Sequence, residues 1–304
     1  MGGTARRWLW IVLSAAAMVA TISAAALAWW PYGHWTVTQA AAEALPADMP
    51  EFFRKAGSTL AFYSNDPDLW TEGKLPVSLR PSQMPEHFID LDLLEGQKLP
   101  VSRKDYAALC RRLKLDPDTV GWLPYAVRDW HDRLTIAFAE HRKWPKDERV
   151  RAKVLYIAGI LSHYTADAAQ PLHATVHFDG KAGEGGRSPR SGIHFKVDAL
   201  PDRAGLKYEE VAKDLKVPDL PGAFAAAVAA IEESAGKVEK VYELEAALPA
   251  PTGDRPEKLD PAIRALALER CRAGAALTAG LWYSAWQASA KVKLPEWHQA
   301  PAEK

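Results

Sequence analysis

The segment HYTADAAQPLH, from His163 to His173, carries two imidazoles and a carboxylate. His163 and Asp167 are four residues apart in a helical pattern, so both side chains project from one face and can reach one ion. Imidazole plus carboxylate is a donor set that suits zinc. Pro171 lacks an amide proton and ends or kinks the helix, which frees His173 to point toward a second ion. The segment GIHFKVD repeats the spacing with His194 and Asp198. One such pair alone is a common surface coincidence. Two pairs with His173 between them, all within residues 163–198, point to a metal centre. Upstream, His34 in WWPYGH, Asp66 in NDPD and His87 in HFID are further candidate ligands. His131 and His141 fall in a charged helical stretch and are expected on a solvated face. His177 is close to His173, and His298 is in the tail.

The elements that must position these residues are helical. Alanine and leucine recur at helical spacing, and alternating strand patterns are missing. Helices are expected over residues 34–45, 50–63, 103–113, 122–142, 150–170, 223–247 and 261–292. Residues 201–221 are mixed, loop with a short helix. Residues 180–192, rich in Gly, Ser and Arg, read as a loop. In the last helix Leu277, Leu281, Trp282, Tyr283 and Trp286 form an aromatic and apolar stripe, expected to be core. No repeat and no dividing linker is visible, so the expectation is one all-α domain.

Bulk properties narrow the function classes. Of 304 residues, 38 are Lys or Arg and 38 are Asp or Glu, so the net charge is zero. No positive field advertises a duplex nucleic-acid partner. The two cysteines, Cys110 and Cys271, form either one bridge or two buried free thiols. Arg6 and Arg7 precede an apolar run that ends in Ala26-Leu27-Ala28. That is a basic region, an apolar region and an A-x-A cleavage signal. Cleavage after Ala28 makes Trp29 the mature N-terminus and the protein secreted or periplasmic. The alternative is a retained membrane anchor over residues 8–30, which are about long enough to span a bilayer.

In their order along the chain, WWPYGH, NDPD, HFID, HYTADAAQPLH and GIHFKVD resemble the zinc phospholipase C and fungal-type single-strand nuclease superfamily. The matching motifs span residues 29–198. The resemblance implies a single multi-helix all-α domain: residues 1–28 as signal peptide, 29–294 as zinc phosphoesterase domain and 295–304 as flexible tail. It also implies three zinc ions. One would be held by Asp66, His87, His163 and Asp167, with Asp68 as the alternative to Asp66. A second would be held by His173, His194 and Asp198. A third would be held by His34, Asp167 and the free amino group and carbonyl of Trp29. The A-x-A signal independently places Trp29 at the terminus, and only a free α-amine can ligate.

The implied chemistry is zinc-assisted phosphodiester hydrolysis, with Asp167 bridging two ions and Asp66 orienting the attacking water. The short Trp29–His34 spacing and the HFID segment resemble the nuclease branch, which implies Phe88 as a base-stacking residue and Asp90 as its hydrogen-bonding neighbour. The alternative is Phe88 in the core and Asp90 as a cap. Two departures stand out. Leu69 occupies the place where the nucleases carry a phosphate-binding Arg, and Ala169 a place that is usually polar. The leading expectation is an exported monomeric nuclease or nucleotidase acting on single-stranded DNA or RNA. A phospholipase C cleaving phospholipid headgroups is the alternative within enzymes. A non-catalytic, membrane-anchored zinc-binding protein is the alternative outside them.

Overall fold

The computed structural model describes residues 29–75, 79–183, 188–256 and 258–299. The expected signal peptide, and the alternative anchor apart from Trp29 and Trp30, lie outside the described residues. So do residues 184–187 of the glycine-rich loop. Among the described residues the secondary structure is helical, with two isolated β-bridges and no strand. No helix among them is long and apolar enough to cross a membrane.

The helices that position the site are, in chain order, α1 (Pro31–Glu43), α2 (Gly57–Tyr63), α3 (Asp66–Thr71), α4 (Arg103–Arg112), α5 (Leu123–Lys143), α6 (Glu148–Asp167), α7 (Ile193–Asp198), α8 (Ala223–Ala235), α9 (Val238–Glu243) and α10 (Pro261–Ser289). Their starts follow from capping chemistry. Ser102, Asp147 and Asp260 accept backbone N–H groups of the first turns of α4, α6 and α10. Pro31 and Pro261 stand where a missing amide proton costs nothing. Two expected helices are broken in two. Residues 50–63 form Glu51–Arg54 and α2, interrupted before Gly57, and residues 223–247 form α8 and α9, interrupted at Gly236. α6 ends at Asp167, three residues before the expected stop, because the chain turns to meet Pro171.

α6 is central and packs against α1, α2, α5 and α10. Gly159 makes the contact with α2 possible. A methyl group there would lie 2.5 Å from Tyr63 Cβ and 2.8 Å from the Leu60 carbonyl oxygen. The stripe on α10 is core at Leu277, Leu281 and Trp282, all buried. The Trp282 indole N–H donates to the Ala158 carbonyl at 3.1 Å. Cys110 and Cys271 are both buried free thiols.

α5 corrects one expectation. It is covered by α6, α8 and α10, so His131 and His141 are not on a solvated face. His141 is buried, with its ring 4.7 Å from that of Phe52. His131 Nε2 lies 2.9 Å from Ser284 Oγ. The described part of the tail is docked rather than frayed. His298 Nε2 is 2.6 Å from Glu140 Oε1, and the Lys143 ammonium donates to the His298 carbonyl at 3.0 Å.

Candidate metal centre

Three sets of ligand atoms converge at the C-terminal end of α6. They are His34, His163 and Asp167; Asp68, His87 and His163; and His173, His194 and Asp198. Within each set all atoms lie within 4.8 Å of one another, and every residue is buried. The first two sets share His163, whereas the third shares no residue with either.

Each side chain arrives by a local rule. His163 and Asp167 occupy successive turns of α6, with Nε2 and Oδ2 3.2 Å apart. His34 comes from α1 and stacks on His163 at a ring distance of 4.0 Å. Its Nε2 lies 3.7 Å from Asp167 Oδ1. His87 ends a short 3-10 turn, with Nδ1 3.1 Å from Asp167 Oδ2 and 3.0 Å from His163 Nε2. The chain after His87 runs along the His173 turn. Ile89 N–H donates to the His173 carbonyl at 2.9 Å and Leu91 N–H to that of Ala174 at 3.3 Å. His194 and Asp198 stand one turn apart on α7, with Nε2 and Oδ2 3.1 Å apart. The carboxylate of Asp179 fastens the start of α7 by accepting the N–H of Gly192 at 2.7 Å and of His194 at 3.3 Å.

Backbone carbonyls fix three tautomers, because a carbonyl can only accept. His163 Nδ1 donates to Ser64 O at 2.7 Å, His173 Nδ1 to His87 O at 2.7 Å and His194 Nδ1 to Phe178 O at 3.2 Å. Each ring therefore presents a bare Nε2 to the centre, the usual arrangement of a metal-ligating histidine. The donor set has a second mark of a metal centre. His34, Asp68, His87, Asp167, His173, His194 and Asp198 each keep a buried nitrogen or oxygen with no hydrogen-bond partner. Orphaned buried polar atoms are costly. Seven of them facing one another fit a place built for cations.

The electrostatics agree. Burial lowers the pKa of His34 well below its ordinary value, helped by the neighbouring His163. It also lowers that of His173. Burial opposes charge on Asp167, yet His163 and His173 beside it outweigh that and hold the carboxyl well below its ordinary range. Burial raises Asp68 to about 6 against the pull of His163. Burial also opposes charge on His163 and His194, but Asp167 beside the first and Asp198 beside the second outweigh it and raise both. A divalent ion would take the place of those protons among the same carboxylates.

Of the residues expected from sequence, His34, His87, His163, Asp167, His173, His194 and Asp198 are brought together. Asp66 is the exception, and Asp68 stands in its place. α3 begins at Asp66, and two residues of helix turn Asp68 to the opposite side, toward His34 and His87 at 3.9 Å each. Asp66 is half-buried, and burial raises its pKa. Trp29 is buried, with its indole N–H on the Ala166 carbonyl at 3.0 Å. The next amide, of Trp30, donates to the Asp198 carbonyl at 3.3 Å. Residues 29–30 thus join the ends of α6 and α7. Phe88 is half-buried, and Asp90 is pushed up to about 8 by burial and then by Asp92. Ala169 does not face the centre. It packs on α10, where a Cβ on Gly274 would lie 3.4 Å from its own. Sequence reasoning missed Gln170, whose side chain amide donates to Asp198 Oδ1 at 2.7 Å.

No family model matches the chain. Part of it is similar to a protein of Bradyrhizobium tropiciagri described as a probable serine protease, at 30% identity over 192 residues. The match covers 55% of this chain and 23% of that protein. A serine–histidine pair occurs here at Ser284 and His131, with Asp132 Oδ1 3.5 Å from His131 Nδ1. These residues sit within α10 and α5, where backbone amides are committed to helical bonds, so no free pair is at hand to receive an oxyanion. Among solved structures, alpha toxin from Clostridium absonum is similar with TM-score 0.44 and 16% identity, over 85% of this chain and 64% of that one. Clostridium perfringens alpha-toxin is similar with TM-score 0.40 and 14% identity, over 86% and 64%. The chain thus spans less than two thirds of each of these proteins, and at that level of likeness neither carries over a fold or an activity.

Proposed function

We propose that the protein is a zinc-dependent phosphodiester hydrolase with three ions per chain. The observation that carries this reading is the convergence of eight buried His and Asp side chains, seven with an orphaned ligand atom. His34 and Asp167 would hold one ion with the terminal amine and carbonyl of Trp29. Asp68, His87, His163 and Asp167 would hold a second, and His173, His194 and Asp198 a third. Zinc bound there supplies an activated water near neutral pH and positive charge for phosphoryl oxygens. The chain's own residues do the rest. Asp167 stays ionised between His163 and His87 and would be shared by two of the ions. Asp68, beside the same imidazoles, would orient the attacking water, a role the sequence suggests for Asp66. With the imidazoles committed as ligands, no general-base histidine is needed.

Single-stranded nucleic acid or a nucleotide is the leading substrate class. Phe88 and Asp90 support it. They stand one and three residues after the ligand His87, and a half-buried aromatic is a side chain on which a base can stack. A second reading, a phospholipid headgroup, is favoured by the surface near the ligands. Leu69 is 54% exposed one residue from Asp68, and Trp35 is 42% exposed beside His34. Hydrolysis of single-stranded DNA, RNA and phosphatidylcholine by the zinc-loaded protein, assayed in parallel, tests the assignment. Polynucleotide cleavage supports the nuclease reading, lipid cleavage alone replaces it with the phospholipase reading, and no cleavage of any of the three rejects both.

A further inference from the structure

Gln170 stands between the ligands without being one. Its backbone N–H donates to the Asp167 carbonyl at 3.0 Å, and its carbonyl accepts the His173 N–H at 3.1 Å. Its side chain is fully buried. The amide nitrogen donates to Asp198 Oδ1 at 2.7 Å, and the amide oxygen accepts the N–H of Leu172. Chemistry fixes this orientation. A flipped amide would set oxygen against a carboxylate and NH2 against an N–H.

We infer that Gln170 is the positioning residue of the His173, His194 and Asp198 ion site, an inference that rests on the metal reading proposed above. Asp198 has two oxygens. Gln170 occupies Oδ1, which fixes the carboxylate so that Oδ2, left without a hydrogen-bond partner, lies 3.1 Å from His194 Nε2. The same amide grips the turn that carries His173, through the Leu172 N–H. One side chain thereby ties the 3-10 turn of Pro171–His173 to α7, the two elements that supply this ion's ligands. Only a side chain with both a donor and an acceptor at this reach meets the two demands. Asp cannot donate when ionised, and Met has no donor and only a weakly accepting sulfur. The other two sets of ligands contain no atom bonded to the Gln170 side chain, so the effect is confined to one of three ions.

Zinc titration by calorimetry, on wild type and on Gln170→Met and Gln170→Asn, tests this, with melting of the zinc-free proteins as the folding control. Cobalt(II) loading adds a spectroscopic readout, because its visible absorption reports ligand geometry. Ligand-supporting partners are worth about 10- to 100-fold in metal affinity. The expected result is that Gln170→Met loses that factor for one ion only, with a changed cobalt spectrum and unchanged affinity for the rest. Gln170→Asn, which keeps the amide on a shorter stem, falls between. Zinc bound by wild type and by both variants with equal affinity, or weakened equally at all ions, overturns the role of Gln170 alone. A wild type that takes up no zinc overturns the metal reading itself.

Discussion

His163 donates its Nδ1 proton to the carbonyl oxygen of Ser64, 2.7 Å away, and so turns a bare Nε2 toward Asp167. The bond exists because α6 and α2 approach closely at Gly159, one helical turn before His163. The loop carrying Ser64 and the helix carrying Asp68 follow α2 directly.

Gly159→Ala is therefore expected to damage both fold and site. The added methyl meets the Tyr63 Cβ and the Leu60 backbone, neither of which can swing aside. Overpacking of this kind costs about 1–3 kcal/mol, or several degrees of melting temperature. Zinc affinity at the positions using His163 falls with it. Thermal melting of zinc-free protein and a zinc titration check the two parts; an unchanged melt contradicts the first.

Asp167 and His194 should differ in what their loss removes. Asp167 faces His34, His87 and His163 together, so Asp167→Ala should release two ions. His194 belongs to the set that shares no residue with the others, so His194→Ala should release one. Elemental analysis of the purified variants distinguishes these counts, and equal losses contradict the shared carboxylate.

The pH dependence of stability should carry a mark of Asp90. Burial pushes its carboxyl up to about 8, above the roughly 3.9 of an unfolded chain. The folded state then holds the proton more tightly, so stability is greatest below the unfolded value and declines as pH rises through about 4 to 8. Asp90→Asn keeps the shape with no proton to lose. Its melting temperature should match wild type near pH ~4 and exceed it by about pH 8. Parallel profiles across that range contradict this.

Leu69→Arg probes the substrate. If nucleic acid is the substrate, a guanidinium beside Asp68 gains a charged hydrogen bond to phosphate, about 1.5–3 kcal/mol, or roughly 10- to 100-fold in kcat/KM on single-stranded DNA. Lipid cleavage should fall. A rise on phosphatidylcholine with no change on DNA contradicts the nuclease reading.

Much of this centre was legible in the sequence because helical periodicity is. His163 with Asp167 and His194 with Asp198 need only the four-residue spacing, and Pro171 announces the turn that redirects His173. Asp68 was not separable from Asp66, since both lie in one helical turn and only its starting residue decides which faces inward. The bond from Gln170 to Asp198 joins residues 28 apart, and no periodicity encodes it. The burial of His131 and His141 was missed for a similar reason. Charged residues along α5 suggest a wet face, but a helix packed by three neighbours hides part of its polar side.

The most direct test is zinc content by elemental analysis of the purified protein, paired with hydrolysis of a chromogenic phosphodiester before chelation, after it and after zinc is returned. About three zinc ions per chain, with activity that leaves with the metal and returns with it, is the predicted result. Protein that binds no metal, or hydrolysis that survives complete metal removal, would contradict the account.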